Sequence, residues 1–172
     1  MELIKCTNEH LNTVSDLYER LVEHLEKNIN YPKWSKSYPC RQTVETAISE
    51  GSQYACFENG KCIGAVILND NPGGDYAAGE WQNFLNQGEY MVIHTFGVDP
   101  NESGKGIGDF ITKGCIEIAK KGGYKAIRLD AVPENIPAIN LYLKNGFSYA
   151  GTKDLKRGIE GIPLFNLYEL NF

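Results

Sequence analysis

The sequence predicts one mixed α+β domain spanning residues 1–172, with strands joined both in hairpins and by crossovers. Three observations predict it. Leu11, Val14, Leu17, Tyr18, Leu21, Val22 and Leu25 recur at the spacing of one face of a helix. Asn59-Gly60 stands between the β-prone runs "QYACFE" and "KCIGAVIL", the strongest short-range hairpin signal. "YMVIHTFGV", a glycine-rich stretch, a helical pattern and "YKAIRLDAV" follow one another, as in a strand–helix–strand crossover.

The elements follow in order. "ELIKC" (2–6) is a short strand, and the 11–25 stripe is the first helix. "NINYPKWSKSYPC" (28–40), with two prolines, is a loop. Val44, Ala47 and Ile48 mark a second helix stopped by Gly51. After the hairpin, residues 69–89 are polar, glycine-rich and aperiodic, and a loop of that length in a compact domain is expected to be functional or mobile. The apolar run 90–98 is a well-buried strand. Ile107, Phe110, Ile111, Gly114, Cys115 and Ile118 form a helix that ends at Lys120-Lys121-Gly122-Gly123. A strand at 124–132 precedes a short helix at 135–146, with Asn135 as its cap and Gly146 as its stop. "FSYAG" and "IPLFNLYEL" close the chain as strands.

Composition narrows the function. Hydrophobic residues make up 42% and charged residues 23%, a globular profile. The net charge is −5 and no Lys/Arg run is present, so no nucleic-acid partner is expected. Cys6, Cys40, Cys56, Cys62 and Cys115 lack C-x-x-C spacing; they read as free thiols in a reducing compartment, with no metal site. No stretch suits a signal peptide or a membrane span, so a soluble cytoplasmic protein is expected.

"VDPNESGKGIGDF" (98–110) places Gly104, Gly106 and Gly108 within five positions at the start of a helix. A helix start carries unsatisfied N–H groups and partial positive charge, and glycine lets anion oxygens approach the backbone. The stretch therefore reads as a phosphate cradle, with Lys105 as an added charge. A ligand-free turn is the plain alternative. A P-loop fails, because Gly106 rather than Ser or Thr follows Lys105. A dinucleotide site, with Asp130 on the ribose, stays open as the runner-up, although Asp109 occupies its third glycine position.

"VDPNESGKGIG" resembles motif A (Q/R-x-x-G-x-G/A) of the GNAT (general N-acetyltransferase) superfamily, with Ser103 where Gln or Arg is usual. "NIPAINLYLKNGF" resembles the next signature of that family, with Asn135, Ala138, Tyr142, Gly146 and Phe147 in register. The resemblance implies a central, mostly antiparallel sheet with a splayed parallel strand pair and about four flanking helices. It implies acetyl-CoA as acetyl donor. The pyrophosphate would lie on Ser103, Gly104, Lys105, Gly106, Ile107 and Gly108, and the pantetheine arm along the backbone of Phe96 and Val98. Asn135 and Ala138 would lie on the arm's other side. Tyr142 maps to the usual general acid at the sulfur, whereas periodicity alone makes it a core aromatic. A homodimer is possible at the family level.

Acetyl transfer needs a neutral amine, a donor for charge growing on the thioester oxygen and a proton for the leaving sulfur. A backbone N–H near Phe96 could be that donor. His94, placed by strand alternation on the face of Phe96 and Val98, suits a general base; a structural histidine is the equal alternative. Glu80 beside Trp81 is a second candidate base. Trp34, Glu80 and Trp81, with Tyr31, Tyr38, Tyr76, Asp70, Asp75 and Glu89, could shape a site for a cationic amine. Cys115 falls on the inward helix face and is not expected as a nucleophile, so transfer should be direct. A catalytically silent acyl-CoA sensor is the competing function.

Overall fold

The computed structural model describes residues 1–172. In chain order it contains β1 (Glu2–Lys5), α1 (Leu11–Glu26), α2 (Arg41–Ser49), β2 (Gln53–Glu58), β3 (Lys61–Asn69), β4 (Tyr90–Val98), α3 (Ile107–Lys121), β5 (Ala126–Ala131), α4 (Ile136–Lys144), β6 (Ser148–Lys153) and β7 (Phe165–Asn171). The seven strands lie in the order β1-β2-β3-β4-β5-β7-β6. Pairs β1–β2, β2–β3, β5–β7 and β6–β7 are antiparallel, and β4–β5 is parallel with α3 as its crossover. This is the mixed sheet with four helices that the sequence predicts. The parallel register runs from Tyr90↔Ala126 to Ile93↔Leu129, while β4 itself continues to Val98.

By contacts the chain forms two compact units, each discontinuous in sequence. One is Met1–Leu68 with His94–Gly114; the other is Asn69–Ile93 with Cys115–Phe172. In the first unit, α1 buries Val14, Leu17, Tyr18 and Leu21, and α2 adds Val44. They pack with Cys6, which follows β1, and with Ala55, Cys62 and Ala65 of β2 and β3. Each fully buried aliphatic side chain here contributes about 1.5–3 kcal/mol. In the second unit Tyr76, Tyr90, Val92, Ala126, Ala150, Leu155, Phe165 and Leu167 form a separate cluster.

The local signals acted as their chemistry dictates. Asn59 and Gly60 both take positive φ (50° and 77°), as a tight hairpin turn requires. Asn135 caps α4 by accepting the Ala138 N–H at 3.3 Å. Several boundaries differ by one or two residues, and the largest difference is at the last strand, which begins at Phe165 rather than Ile162, since Pro163 has no N–H for a ladder. The 69–89 segment is also not a loose loop. It contains a short 3-10 turn at Tyr76–Ala78 and is tied down by the side chains described below.

Candidate active site

The glycine turn, in the first unit, is built from the end of β4 onward. Asp99 ends the strand with its side chain only 1% exposed. Its carboxylate accepts the Asn101 N–H (3.0 Å), closing a 3-10 turn over Pro100–Glu102, and a bond from Arg20 Nη2 of α1 (3.0 Å). Burial pushes its carboxyl up, but the Asn101 amide, Arg20 and Lys61 together outweigh that and hold it below the ordinary range. The backbone is fixed as well, because Asp99 N–H donates to the Ile63 carbonyl at 2.9 Å.

Beyond this anchor the chain turns through Gly104 (φ 80°) and Gly106 (φ 77°) into α3. A Cβ built on either glycine meets nothing within 4 Å. Protein packing therefore does not demand glycine there; the left-handed backbone does. The result is bare backbone facing open space at the start of a 15-residue helix, where N–H groups lack intrahelical partners. Ile107 is buried under the turn at 2% exposure, so its side chain belongs to the core and only its backbone is available to a ligand. Lys105 is not aimed freely outward: its ammonium bonds Glu102 at 2.5 Å, and Lys61 Nζ bonds the other oxygen of Glu102 at 2.6 Å. The two lysines hold Glu102 at a pKa of about 2.

The strand before the turn is not regular. Thr95 lies at φ 45°, an outlier for a β-branched residue, and such a residue inside a strand marks a bulge. The simple alternation that places His94, Phe96 and Val98 on one face is interrupted there; all three are half-buried. Two tyrosines hold the bulge. Tyr18, fully buried, donates to the Thr95 carbonyl at 2.7 Å, and the Tyr38 hydroxyl bonds Thr95 Oγ1 at 2.6 Å. A Cβ on Gly97 would strike Leu21 at 2.6 Å and approach Trp34 at 3.5 Å. Trp34 thus lies against β4, edge-on to Tyr18.

The second unit carries the other predicted residues. Trp81 donates to the Tyr76 carbonyl at 2.6 Å, and its ring covers the guanidinium of Arg128 (4.1 Å), whose other face meets Tyr90 (4.2 Å). Arg128 is 2% exposed and donates to the Asn83 carbonyl at 3.0 Å. Buried Glu169 accepts the Gln82 N–H at 2.5 Å. Asp130 takes two bonds from Arg157 and one from Tyr76, all at 2.7 Å. Glu80 is exposed and bonds Lys153 at 2.7 Å. Tyr142 is buried against Phe147, and burial first, then the Asp130 charge, raise its pKa well above the ordinary phenol value. Ala138 is half-buried one turn before Tyr142. Burial, against a smaller opposing effect of a backbone hydrogen bond, pushes the Cys115 thiol up to about 12, so it is not a nucleophile.

Sequence reasoning located the glycine turn and the α4 cap. It missed Arg20, Lys61, Asp99 and Glu102, because these meet only through folding; Arg20 and Asp99 are 79 positions apart. It missed Arg128, which reads as an ordinary polar residue within a strand.

The fold thus joins a mixed sheet with one parallel pair to a bare glycine turn at the start of α3. Residues 15–147 match the acetyltransferase (GNAT) family model, and the chain belongs to that family. It is 34% identical over 142 residues to an uncharacterized N-acetyltransferase of Methanocaldococcus jannaschii, covering 82% of this chain. The chain spans 58% of the length of that relative. In fold it is similar to a GNAT-family acetyltransferase of Streptococcus agalactiae (TM-score 0.79, 17% identity, covering 99% of this chain and 95% of the other). It is also similar to the yncA protein of Salmonella typhimurium, solved with its cofactor acetyl-CoA (TM-score 0.72, 15% identity, covering 99% and 92%). No helix is long and apolar enough to cross a membrane.

Proposed function

We propose that residues 1–172 act as a single acetyl-CoA-dependent N-acetyltransferase domain that moves an acetyl group directly to a primary amine of a small molecule or peptide in the cytoplasm. The observation that carries this reading is the pair of left-handed glycines, 104 and 106, open to solvent at the start of α3. The family assignment and the acetyl-CoA named for the Salmonella relative supply the ligand.

The residues present fit that ligand. A diphosphate needs N–H donors and no side chain in the way, which the Ser103–Gly108 backbone offers. Phe96 and Val98 would line the arm from β4, and Asn135 and Ala138 from α4. Asn135 has committed its side-chain oxygen to the cap, so its amide nitrogen is the group left for contact. Bound acetyl-CoA supplies the activated acetyl group and a thiol leaving group. Tyr142 keeps its proton at every working pH, because its pKa is raised. Full transfer from so weak an acid to a thiolate is uphill, so its task is to donate a hydrogen bond where charge grows on sulfur. His94 would accept the amine proton, directly or through water. Trp34, Glu80 and Trp81 would bound the acceptor site. Trp34 is held against β4, and Trp81 is held by Tyr76 and Arg128, so both would act as fixed walls. The dinucleotide alternative loses support, since Asp130 is already bonded by Arg157 and Tyr76.

The test is calorimetric titration with acetyl-CoA, with NAD as control, followed by a thiol-release screen over amines. Acetyl-CoA binding and amine-dependent thiol release are expected. Binding without release for any amine would favour the sensor. Binding of NAD, or of neither ligand, would overturn the cradle.

A further inference from the structure

The charges around the glycine turn are arranged unequally. Glu102 is the inner member of its group, 16% exposed, while Lys61 and Lys105 are 51% and 60% exposed. Each carboxylate oxygen takes one ammonium, at 2.6 Å from Lys61 and 2.5 Å from Lys105. The carboxylate cannot easily leave. Its residue closes the 3-10 turn, with Glu102 N–H on the Asp99 carbonyl at 2.9 Å, and Asp99 is itself anchored by Arg20. The lysines can leave, because each ammonium rides on a flexible four-carbon stem. Lys105 stands between the two glycines whose surroundings are open. Asp99 does not depend on Lys61, whose ammonium is 3.8 Å away, since Arg20 and the Asn101 amide already satisfy it. Across the group, Arg20, Lys61 and Lys105 against Asp99 and Glu102 leave one net positive charge (3 − 2 = 1), in a chain whose total is −5.

We propose that Glu102 is a built-in counter-ion of the phosphate loop, which competes with the phosphates of the cofactor for the ammonium groups of Lys61 and Lys105 and thereby sets cofactor affinity. This rests on the acetyl-CoA reading above and adds two residues outside the glycine motif, Lys61 of β3 and Glu102, to the determinants of binding. An incoming phosphate meets two outward ammonium groups already collected at one point. The carboxylate behind them then stands close to a polyanion, and its repulsion is a fixed cost to binding. An ordinary structural residue in this position would show the opposite sign, because its loss would loosen the loop and weaken binding.

The experiment is titration of the wild-type chain, Glu102→Gln, Lys61→Met and the double variant Glu102→Gln/Lys61→Met with acetyl-CoA at low and high salt. Glu102→Gln is expected to bind about three- to tenfold more tightly at low ionic strength, as removal of one partly screened charge near a polyanion implies. That gain should vanish near ~1 M salt, where the screening length is about 3 Å. Lys61→Met should bind more weakly, and the gain from Glu102→Gln should shrink in its background. A parallel titration with 3′-dephospho-CoA identifies the phosphate: a retained gain places the lysines on the diphosphate, and a lost gain places them on the 3′-phosphate. Unchanged or weaker binding by a folded Glu102→Gln, in a protein whose wild type binds acetyl-CoA, overturns the counter-ion role and leaves the enzyme reading standing. No binding by the wild type takes down both.

Discussion

The turn at 99–108 and the segment at 69–89 are both polar, both glycine-bearing and both without periodicity, yet they are built in opposite ways. The first holds its ammonium groups outward over a carboxylate that lies further in. Lys61 and Lys105 are more than half exposed, and the two central glycines face open space. The second is pinned over buried charges that belong to β5 and β7. Arg128 and Glu169 lie under Trp81, Gln82 and Asn83, and Asp130 is closed off by Arg157 and Tyr76. Exposed charge on a fixed backbone is suited to collecting an anion from water. Buried charge is of little use for collection; held by rings, a carbonyl and an opposite charge, it fixes the shape of a segment. A long aperiodic stretch can therefore be rigid, and here the rigidity comes from residues outside the stretch.

The largest expected effect tests that rigidity. Arg128→Met leaves Glu169 as a buried charge without its cation, while the Trp81 and Tyr90 rings lose the guanidinium between them. The facing atoms of the pair are 3.7 Å apart, too long for a hydrogen bond, so the partnership is one of charge and stacking. A loss of about 3–5 kcal/mol is expected in denaturant unfolding. Adding Glu169→Leu should restore part of it, because the stranded carboxylate is then gone. A loss under about 1 kcal/mol would mean that the segment is held by its apolar residues alone.

The next effect tests the openness of the other turn. Gly106→Val should weaken acetyl-CoA binding by at least about 100-fold, about 2.7 kcal/mol, because a branched side chain takes the space over the backbone N–H groups. Gly60→Val is a matched control. Gly60 has the same φ of 77° and the same open surroundings, but lies in the β2–β3 turn. Both variants carry the left-handed strain of about 1–2 kcal/mol. Only Gly106→Val should lose the ligand. Equal binding losses would assign the effect to strain rather than to the cradle.

A smaller change is expected at Tyr142. If its phenol donates a hydrogen bond to sulfur and does not ionise, Tyr142→Phe lowers kcat by about 10- to 100-fold and leaves the Kd for acetyl-CoA near its wild-type value. The kcat profile should show no break from this residue below pH 10, since burial moves its titration upward. An unchanged kcat removes Tyr142 from the chemistry.

These contrasts mark how far the sequence could be read. The glycine turn, the Asn59-Gly60 hairpin, the α1 stripe and the Asn135 cap are legible because each is set by residues within a few positions. The family signatures are local for the same reason. The anchors are not local. Arg20 reaches Asp99 across 79 positions, and Arg157 reaches Asp130 across 27. No period or motif records which arginine finds which carboxylate. The bulge in β4 escaped for a different reason: Thr is a good strand former, and nothing in "VIHTFGV" announces that Thr95 departs from the pleat.

That residue gives the smallest effect, and one with an unusual sign. Within a strand, valine ordinarily outranks threonine and glycine ranks near the bottom. At Thr95 the backbone is left-handed (φ 45°), where a β-branched side chain is strained by about 1–2 kcal/mol and glycine is not. Thr95→Gly relieves that strain, at the expense of the Tyr38 bond and of about 0.5–1 kcal/mol of chain entropy. Stability should stay within about 1 kcal/mol of wild type. Thr95→Val keeps the strain and loses the hydroxyl, so it should be the less stable of the two, a reversal of strand propensity. Tyr18→Phe, which removes the donor on the Thr95 carbonyl, should cost about 1 kcal/mol more in the Thr95→Val background than in Thr95→Gly. If valine is instead the more stable substitution, the bulge is not strained, and the two tyrosines serve packing rather than backbone control.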